Sequence, residues 1–125
     1  MELRSPRLLA KGDLIGIISP ASPPKPEKHD QYQQGLAYLR RLGYRVLEGK
    51  HVLDQYGYLA GSDESRAEDL NAMFRNPRVK AIFCSRGGYG TPRLLDMIDY
   101  DAVRKHPKIL VGYSDITSLQ LALYA

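Results

Sequence analysis

Cysteine and tryptophan are almost missing from this sequence. Its 125 residues include one cysteine, Cys84, and no tryptophan. A single cysteine excludes a disulfide bond within the chain. Cys84 lies in the apolar run VKAIFCS, and because no obvious base is nearby we expect a buried strand thiol without a reactive role.

Long apolar stretches are also missing. The N-terminus, MELRSPRLLAKGD, has neither the apolar centre nor the cleavage pattern of a signal peptide. No segment approaches the roughly 18 apolar residues that a membrane-spanning helix needs. The 18 basic and 14 acidic residues, with a net charge of +4, are interleaved along the chain, which is typical of a solvated surface and not of a nucleic-acid-binding face. We therefore expect a cytoplasmic protein with no membrane or nucleic-acid partner.

Short apolar runs and helical patterns alternate along the chain. Four β-branched-rich runs predict strands at 14–19, 44–48, 79–85 and 108–114. Helices are predicted at 27–42, from a cap at Ser62 or Asp63 to Asn76-Pro77, and from Thr91-Pro92 through Leu94, Leu95 and Ile98. This alternation predicts an α/β fold with a mostly parallel sheet flanked by helices.

The chain ends inside a further helical pattern that begins at Asp115. Leu119, Ala122 and Leu123 share one face, and no glycine, asparagine or basic last turn closes the pattern. A C-terminal helix that frays is the alternative. Because the last residues are apolar, we favour truncation and expect residues 1–125 to be the first domain of a longer protein.

The segment GYSDIT joins the last predicted strand directly to this helix. A serine at such a bend is typical of a nucleophile elbow, in which the Ser114 side chain is forced outward at the sheet edge. The N–H of Asp115 would then face a developing oxyanion. However, Ile116 replaces the second glycine of the G-x-S-x-G pattern. Serine and aspartate are also common helix caps, so on spacing alone an N-cap role for Ser114 is the favoured interpretation.

The glycine-rich loop SRGGYG, 85–90, follows the neighbouring strand. Its amides can hold an oxyanion or a phosphate, although a tight glycine turn without a ligand is the alternative. The loop lacks both the lysine of a P-loop and the dinucleotide fingerprint. Arg86 can bind a carboxylate with two parallel hydrogen bonds or be a plain surface residue. Arg86 and Tyr89 are the candidate substrate-binding residues.

A serine nucleophile needs a general base, usually histidine. The sequence offers only His29, His51 and His106. His106 precedes the fourth strand and should lie at the opposite sheet edge. His29 and His51 follow strands, yet nothing brings either toward Ser114, and we expect both to be exposed loop residues. The base should therefore lie outside this chain.

Three segments together resemble a known family. GDLIGIISPASP, SRGGYGTPRLLDMIDYD and KILVGYSDIT occur in the order and spacing of the LD-carboxypeptidases, and they span nearly the whole chain. That family comprises muramoyl-tetrapeptide carboxypeptidases and microcin C immunity peptidases. The resemblance implies an N-terminal α/β domain similar to glutamine amidotransferases, followed by a β-rich C-terminal domain that this chain lacks.

The resemblance also implies a reaction. Ser114 would be the nucleophile, and the amides of Gly88 and Asp115 would form the oxyanion hole. The substrate would be a cytoplasmic peptidoglycan peptide, cleaved at the amide bond to its terminal D-amino acid without a metal or organic cofactor. The family's catalytic glutamate and histidine belong to the second domain, and no position here matches them, so we expect residues 1–125 alone to be inactive.

Two rival interpretations remain. In the first, the chain is a phosphate- or carboxylate-binding α/β module, in which Ser114 only caps a helix. In the second, it is a structural domain that forms a homodimer through its apolar last helix. Substrate choice between peptidoglycan fragments and microcin-type compounds would depend on the second domain.

Overall fold

The fold contains a parallel sheet with helices on both faces. The computed structural model describes residues 9–20, 28–54, 62–85 and 91–111, leaving aside the side chains of 91–93. Its strands are β1 (Leu14–Ile18), β2 (Arg45–Glu48), β3 (Val79–Cys84) and β4 (Ile109–Val111). Its α-helices are α1 (His29–Arg41), α2 (Asp63–Arg75) and α3 (Tyr100–Lys105). The order in the sheet is β2-β1-β3-β4, and every pair is parallel. The predicted α/β class is confirmed.

Side-chain alternation along β1 and β3 divides the core between the two faces of the sheet. Ile15, Ile17 and Ala81 pack with Leu36 of α1 on one face. Ile18 and Ile82 belong to the other cluster, whose members from α2 are Leu70, Met73 and Phe74. Gly16 allows α2 to approach β1 closely, because a Cβ there would lie 2.5 Å from Met73 Sδ.

The predicted helix ends are confirmed where local signals set them. The first helix is followed by Gly43, whose φ of +100° suits a residue without a Cβ. The second helix is capped by Ser62, whose Oγ accepts a hydrogen bond from the Ser65 N–H at 3.1 Å. That helix ends at Arg75, directly before Asn76-Pro77.

The helix predicted from Thr91 through Ile98 differs from the structure. A 3₁₀ helix spans Thr91–Met97, and the α-helix α3 starts only at Tyr100. Asp99 separates the two, since its Oδ1 accepts from the Ala102 N–H at 3.1 Å and caps α3. Asn71 of α2 donates to the Met97 carbonyl and accepts from the Asp99 N–H, each at 2.9 Å. This contact between distant segments fixes the break.

The end of the fourth predicted strand and everything after it lie outside the described residues. The structure confirms the strand over Ile109–Val111, whereas 112–125, including the predicted last helix, are among the undescribed positions. In the ranges that the structure describes, no helix combines the length and apolar character needed to cross a membrane.

Candidate functional site

The exits of the two candidate catalytic segments are neighbours in the sheet. β3 and β4 pair in parallel, with Phe83 opposite Val111. The chain therefore leaves β3 toward 86–90 and leaves β4 toward 112–115 at the same carboxyl edge. Ligands of open parallel sheets bind at this edge. The topology thus makes the carboxyl ends of β3 and β4 neighbours, as the sequence predicted.

The predicted site residues themselves lie outside the described part of the chain. These are Arg86, Gly88, Tyr89, Ser114 and Asp115. Their roles, and the choice between nucleophile and helix cap for Ser114, stay predictions. The structure describes the carboxyl ends of the strands that precede these segments, together with the neighbouring residues that hold those strand ends in place.

The buried hydroxyl of Ser19 and the partly buried hydroxyl of Ser85 lie at the carboxyl ends of β1 and β3. Ser19, which is 3% exposed, follows β1 and donates from Oγ to the Val52 carbonyl at 2.7 Å. Its Oγ also lies 2.5 Å from Oγ of Ser85, and the Ser85 N–H donates to the Ile18 carbonyl at 2.8 Å. Sequence reasoning missed this pair; the only signal is that each serine closes an apolar run, LIGIIS or VKAIFCS.

Arg66 of α2 fixes the chain just beyond Ser19. Its side chain is buried and donates from Nη1 to the Pro20 carbonyl at 2.9 Å. Its Nη2 pairs with the Asp63 carboxylate, so the guanidinium charge is balanced within the same helix. The segment that follows β1 is thereby attached to α2.

Asp69 anchors the loop that follows β2. This carboxylate is 4% exposed and accepts from the His51 N–H at 2.8 Å and from the Lys50 N–H. The Gly49 N–H donates to the Ile17 carbonyl at 2.6 Å. Burial is the main influence on Asp69 and raises its pKa, while the N–H donors and His51 act in the opposite direction.

Asp69→Ala is expected to lower the free energy of unfolding by about 3 kcal/mol, since two backbone donors lose a buried charged acceptor. Asp101→Ala is the matched control, because Asp101 forms an exposed pair with Arg104. Its expected cost is below about 0.5 kcal/mol. Urea denaturation measures both values, and equal costs for the two variants would contradict the anchoring role of Asp69.

His51 is not the exposed loop residue that we expected. Its side chain is 16% exposed and lies between two carboxylates, with Nδ1 2.6 Å from Asp54 and Nε2 3.4 Å from Glu68. The hydrogen bond to Asp54 is the main cause that raises the pKa of His51. The side chain is less exposed than expected for a loop residue because Glu68 on α2 lies against it. Nδ1 is hydrogen-bonded to Asp54, and Nε2 is buried beside Glu68 without a hydrogen bond, whereas a general base needs one nitrogen open to its substrate.

Stability is expected to fall as pH rises from about 6.5, the unfolded-state value for histidine. A folded-state pKa that is raised means that the His51 contribution is complete below that pH and is lost as pH rises through the folded value. The groups facing the ring are Asp54, Glu68 and Asp69. The difference in unfolding free energy between wild type and His51→Gln isolates this effect, because Lys108, whose pKa burial lowers to about 8, is present in both. A difference that does not change with pH would contradict the prediction.

The other two histidines, His29 and His106, do not belong to the loops that follow the strands. His29 is the first residue of α1 and is half-buried, so the expectation of an exposed loop residue was wrong for it too. His106 follows α3 and is exposed near Pro77 and Val79, at the opposite edge as predicted. Among the residues that the structure describes, no group of three or more histidine, cysteine, aspartate or glutamate side chains is arranged to hold a metal ion.

Cys84 closes β3 beside a groove between α1 and the sheet. The groove has a volume of about 320 Å³, and Tyr32, Phe83 and Ser85 also line it. Burial raises the pKa of the Cys84 thiol to about 12, so the thiol stays protonated at neutral pH. Cys84 lies on a strand as predicted, but it is partly buried and not fully buried. A protonated thiol is a weak nucleophile, because only the thiolate reacts readily.

The fold and the shared strand edge define an α/β domain of the kind that binds ligands at the carboxyl ends of its strands. Residues 15–125 match the family described as the LD-carboxypeptidase N-terminal domain. The chain belongs to that family, as the three sequence segments indicated.

Known relatives agree with this assignment. A Bacillus subtilis (strain 168) protein named "Probable murein peptide carboxypeptidase" is 50% identical over 119 residues, which cover 95% of this chain and 36% of that protein. The murein tetrapeptide carboxypeptidase of Pseudomonas aeruginosa is 37% identical over 111 residues, covering 88% of this chain and 35% of that protein. The microcin C7 self-immunity protein MccF, known from Escherichia coli, has been solved with aspartyl sulfamoyl adenosine; its TM-score is 0.91 at 34% identity, covering 99% of this chain and 36% of that one.

The chain therefore spans about a third of the length of these relatives.

Proposed function

We propose that the full-length protein is a serine LD-carboxypeptidase and that residues 1–125 form its nucleophile domain. The observation that carries the proposal is the parallel pairing of β3 with β4, which lets the glycine loop and the GYSD segment leave the sheet side by side. The names of the relatives support carboxypeptidase chemistry. The remaining catalytic groups, a glutamate and a histidine, belong to a second, β-rich domain.

The reaction proceeds through an acyl-enzyme. The Ser114 hydroxyl attacks the scissile carbonyl carbon while the histidine of the second domain takes its proton. The oxyanion accepts hydrogen bonds from the Gly88 and Asp115 N–H groups, and each donor lowers the barrier by about 3 kcal/mol. The C–N bond then breaks, and the same histidine protonates the departing amine of the terminal D-amino acid. Water hydrolyses the ester and restores Ser114.

The substrate is a cytoplasmic peptidoglycan peptide with a terminal D-amino acid. The relative that is 50% identical carries a murein peptide name, which favours this class over the nucleotide-like compound bound by MccF. Arg86 binds the terminal carboxylate with two parallel hydrogen bonds, a geometry that suits guanidinium. Tyr89 packs against the peptide beside it. No cofactor takes part in these steps.

Incubation of the full-length protein with a murein tetrapeptide tests the proposal. We expect release of D-alanine from a peptide ending in D-alanine, measured by mass spectrometry and chiral amino-acid analysis. The matched control is the same peptide ending in L-alanine, which should remain intact. Equal cleavage of both peptides, or cleavage of neither, would contradict the proposed function.

A further inference from the structure

The segments that leave three neighbouring strands are tied together by one chain of hydrogen bonds. Ser19 follows β1, Val52 lies in the loop after β2, and Ser85 follows β3. Ser19 Oγ is 2.7 Å from the Val52 carbonyl oxygen and 2.5 Å from Ser85 Oγ. These contacts join residues 33 and 66 positions apart, so they fix the relation of three separate loops.

Elementary chemistry decides which group donates and which accepts in each of these two hydrogen bonds. A carbonyl oxygen only accepts, so the single Ser19 proton is committed to Val52. The short contact with Ser85 must then use the Ser85 proton, with Ser19 Oγ as the acceptor. Ser85 Oγ keeps its lone pairs but has no proton left to donate. Its hydroxyl is therefore held in one orientation.

The Val52 carbonyl, the last acceptor in this series of hydrogen bonds, is itself held in place. Val52 is 5% exposed and belongs to the core cluster beside α1. Its loop is held by Asp69, which accepts from the His51 N–H, and by the Gly49 N–H bond to β1. The Val52 carbonyl is thus a fixed acceptor. Because Ser85 directly precedes 86–90, the fixed end of the chain sets where the glycine loop starts.

We propose that Ser19 and Ser85 are positioning residues, which hold the start of the glycine loop so that its amides meet the oxyanion. The expected fall in kcat when either serine is replaced rests on the proposed function. The expected loosening of the backbone at residue 85 does not. Oxyanion donors act only at the correct distance, and a displacement of about 1 Å can cost about 100-fold in rate.

The donor and acceptor roles in these hydrogen bonds predict which of the two alanine variants has the larger effect. Ser85→Ala removes one hydrogen bond and leaves Ser19 bound to Val52. Ser19→Ala removes two, because both the buried carbonyl and the Ser85 hydroxyl lose their partner. Ser19→Ala should therefore have the larger effect, and the double variant should be no worse than Ser19→Ala alone, since both act through one contact.

Steady-state kinetics of the full-length protein on a murein tetrapeptide test the kinetic consequence. We expect kcat to fall by about tenfold for Ser85→Ala and further for Ser19→Ala, with KM changed less than about twofold. Ser85→Thr keeps the hydroxyl and should restore most of kcat. Ser62→Ala is the matched control, because it removes a structural serine hydroxyl that caps α2 and should lower stability without changing kcat.

Amide hydrogen exchange supplies a readout that needs no activity. In Ser19→Ala and Ser85→Ala, exchange of the backbone amide at position 85, which donates to the Ile18 carbonyl, should become at least about tenfold faster, whereas Ser62→Ala should leave it unchanged. If the wild type cleaves peptide and both alanine variants keep its kcat, this inference fails while the proposed function stands. If the wild type cleaves nothing, the proposed function fails, and unchanged exchange of the amide at position 85 in both alanine variants would then overturn this inference separately.

Discussion

Ser114→Ala is expected to abolish peptide hydrolysis by the full-length protein, lowering kcat by about 10⁴-fold or more. The physical reason is that the bond-forming oxygen is removed, and the oxyanion donors and the base cannot replace it. Binding should persist because the groups that hold the peptide carboxylate are unchanged. Release of D-alanine and calorimetric binding of the tetrapeptide measure the two effects separately.

Ser118→Ala is the matched control, since Ser118 lies four positions further along the same segment. It should keep kcat within about threefold of wild type, the scatter expected for a change outside the reacting groups. If Ser114→Ala retains substantial turnover, the cap interpretation of this serine is correct and the nucleophile must be another residue.

Residues 1–125 alone are expected to release no D-alanine, although the strands that lead to both candidate catalytic segments end side by side. Without a base, the serine hydroxyl stays protonated and is a weak nucleophile. The loss relative to the full-length protein should reach about 10⁴-fold, since members of a catalytic triad act as a unit. Equimolar amounts of the two polypeptides in the same assay give the comparison.

Addition of the remaining part of the protein as a separate chain is the complementary arm of that experiment. Partial recovery of turnover would show that the missing groups are supplied by that part. Robust turnover by residues 1–125 that Ser114→Ala abolishes would instead show that the base lies within this chain, contrary to our account.

Much of the fold could be predicted because local patterns determine it. Short β-branched runs alternate with amphipathic segments, and this rhythm requires crossover connections and a parallel sheet. Ser62, Gly43 and Asn76-Pro77 set helix ends through contacts within a few residues. The helix predicted over 91–98 is present as a 3₁₀ helix at Thr91–Met97. The break that follows it could not be predicted, because Asn71, on another helix, binds both sides of it.

Of the candidate site, too, only the features set by local sequence patterns and strand order could be predicted. That the strands before the glycine loop and before GYSD end side by side follows from strand order, and the family follows from three segments in sequence. The Ser19–Ser85 contact could not be predicted, because its acceptor is a backbone carbonyl with no sequence signature. His51 was misjudged for a related reason: Glu68, which limits its exposure, lies on a helix that packs against its loop.

Chemical labelling of the full-length protein tests the central claim most directly. A fluorophosphonate probe should react with one serine, and peptide mapping by mass spectrometry should find the phosphonyl group on Ser114, with no labelling of Ser114→Ala and normal labelling of Ser118→Ala. A protein that cleaves the tetrapeptide while its adduct forms at a different residue would contradict the account.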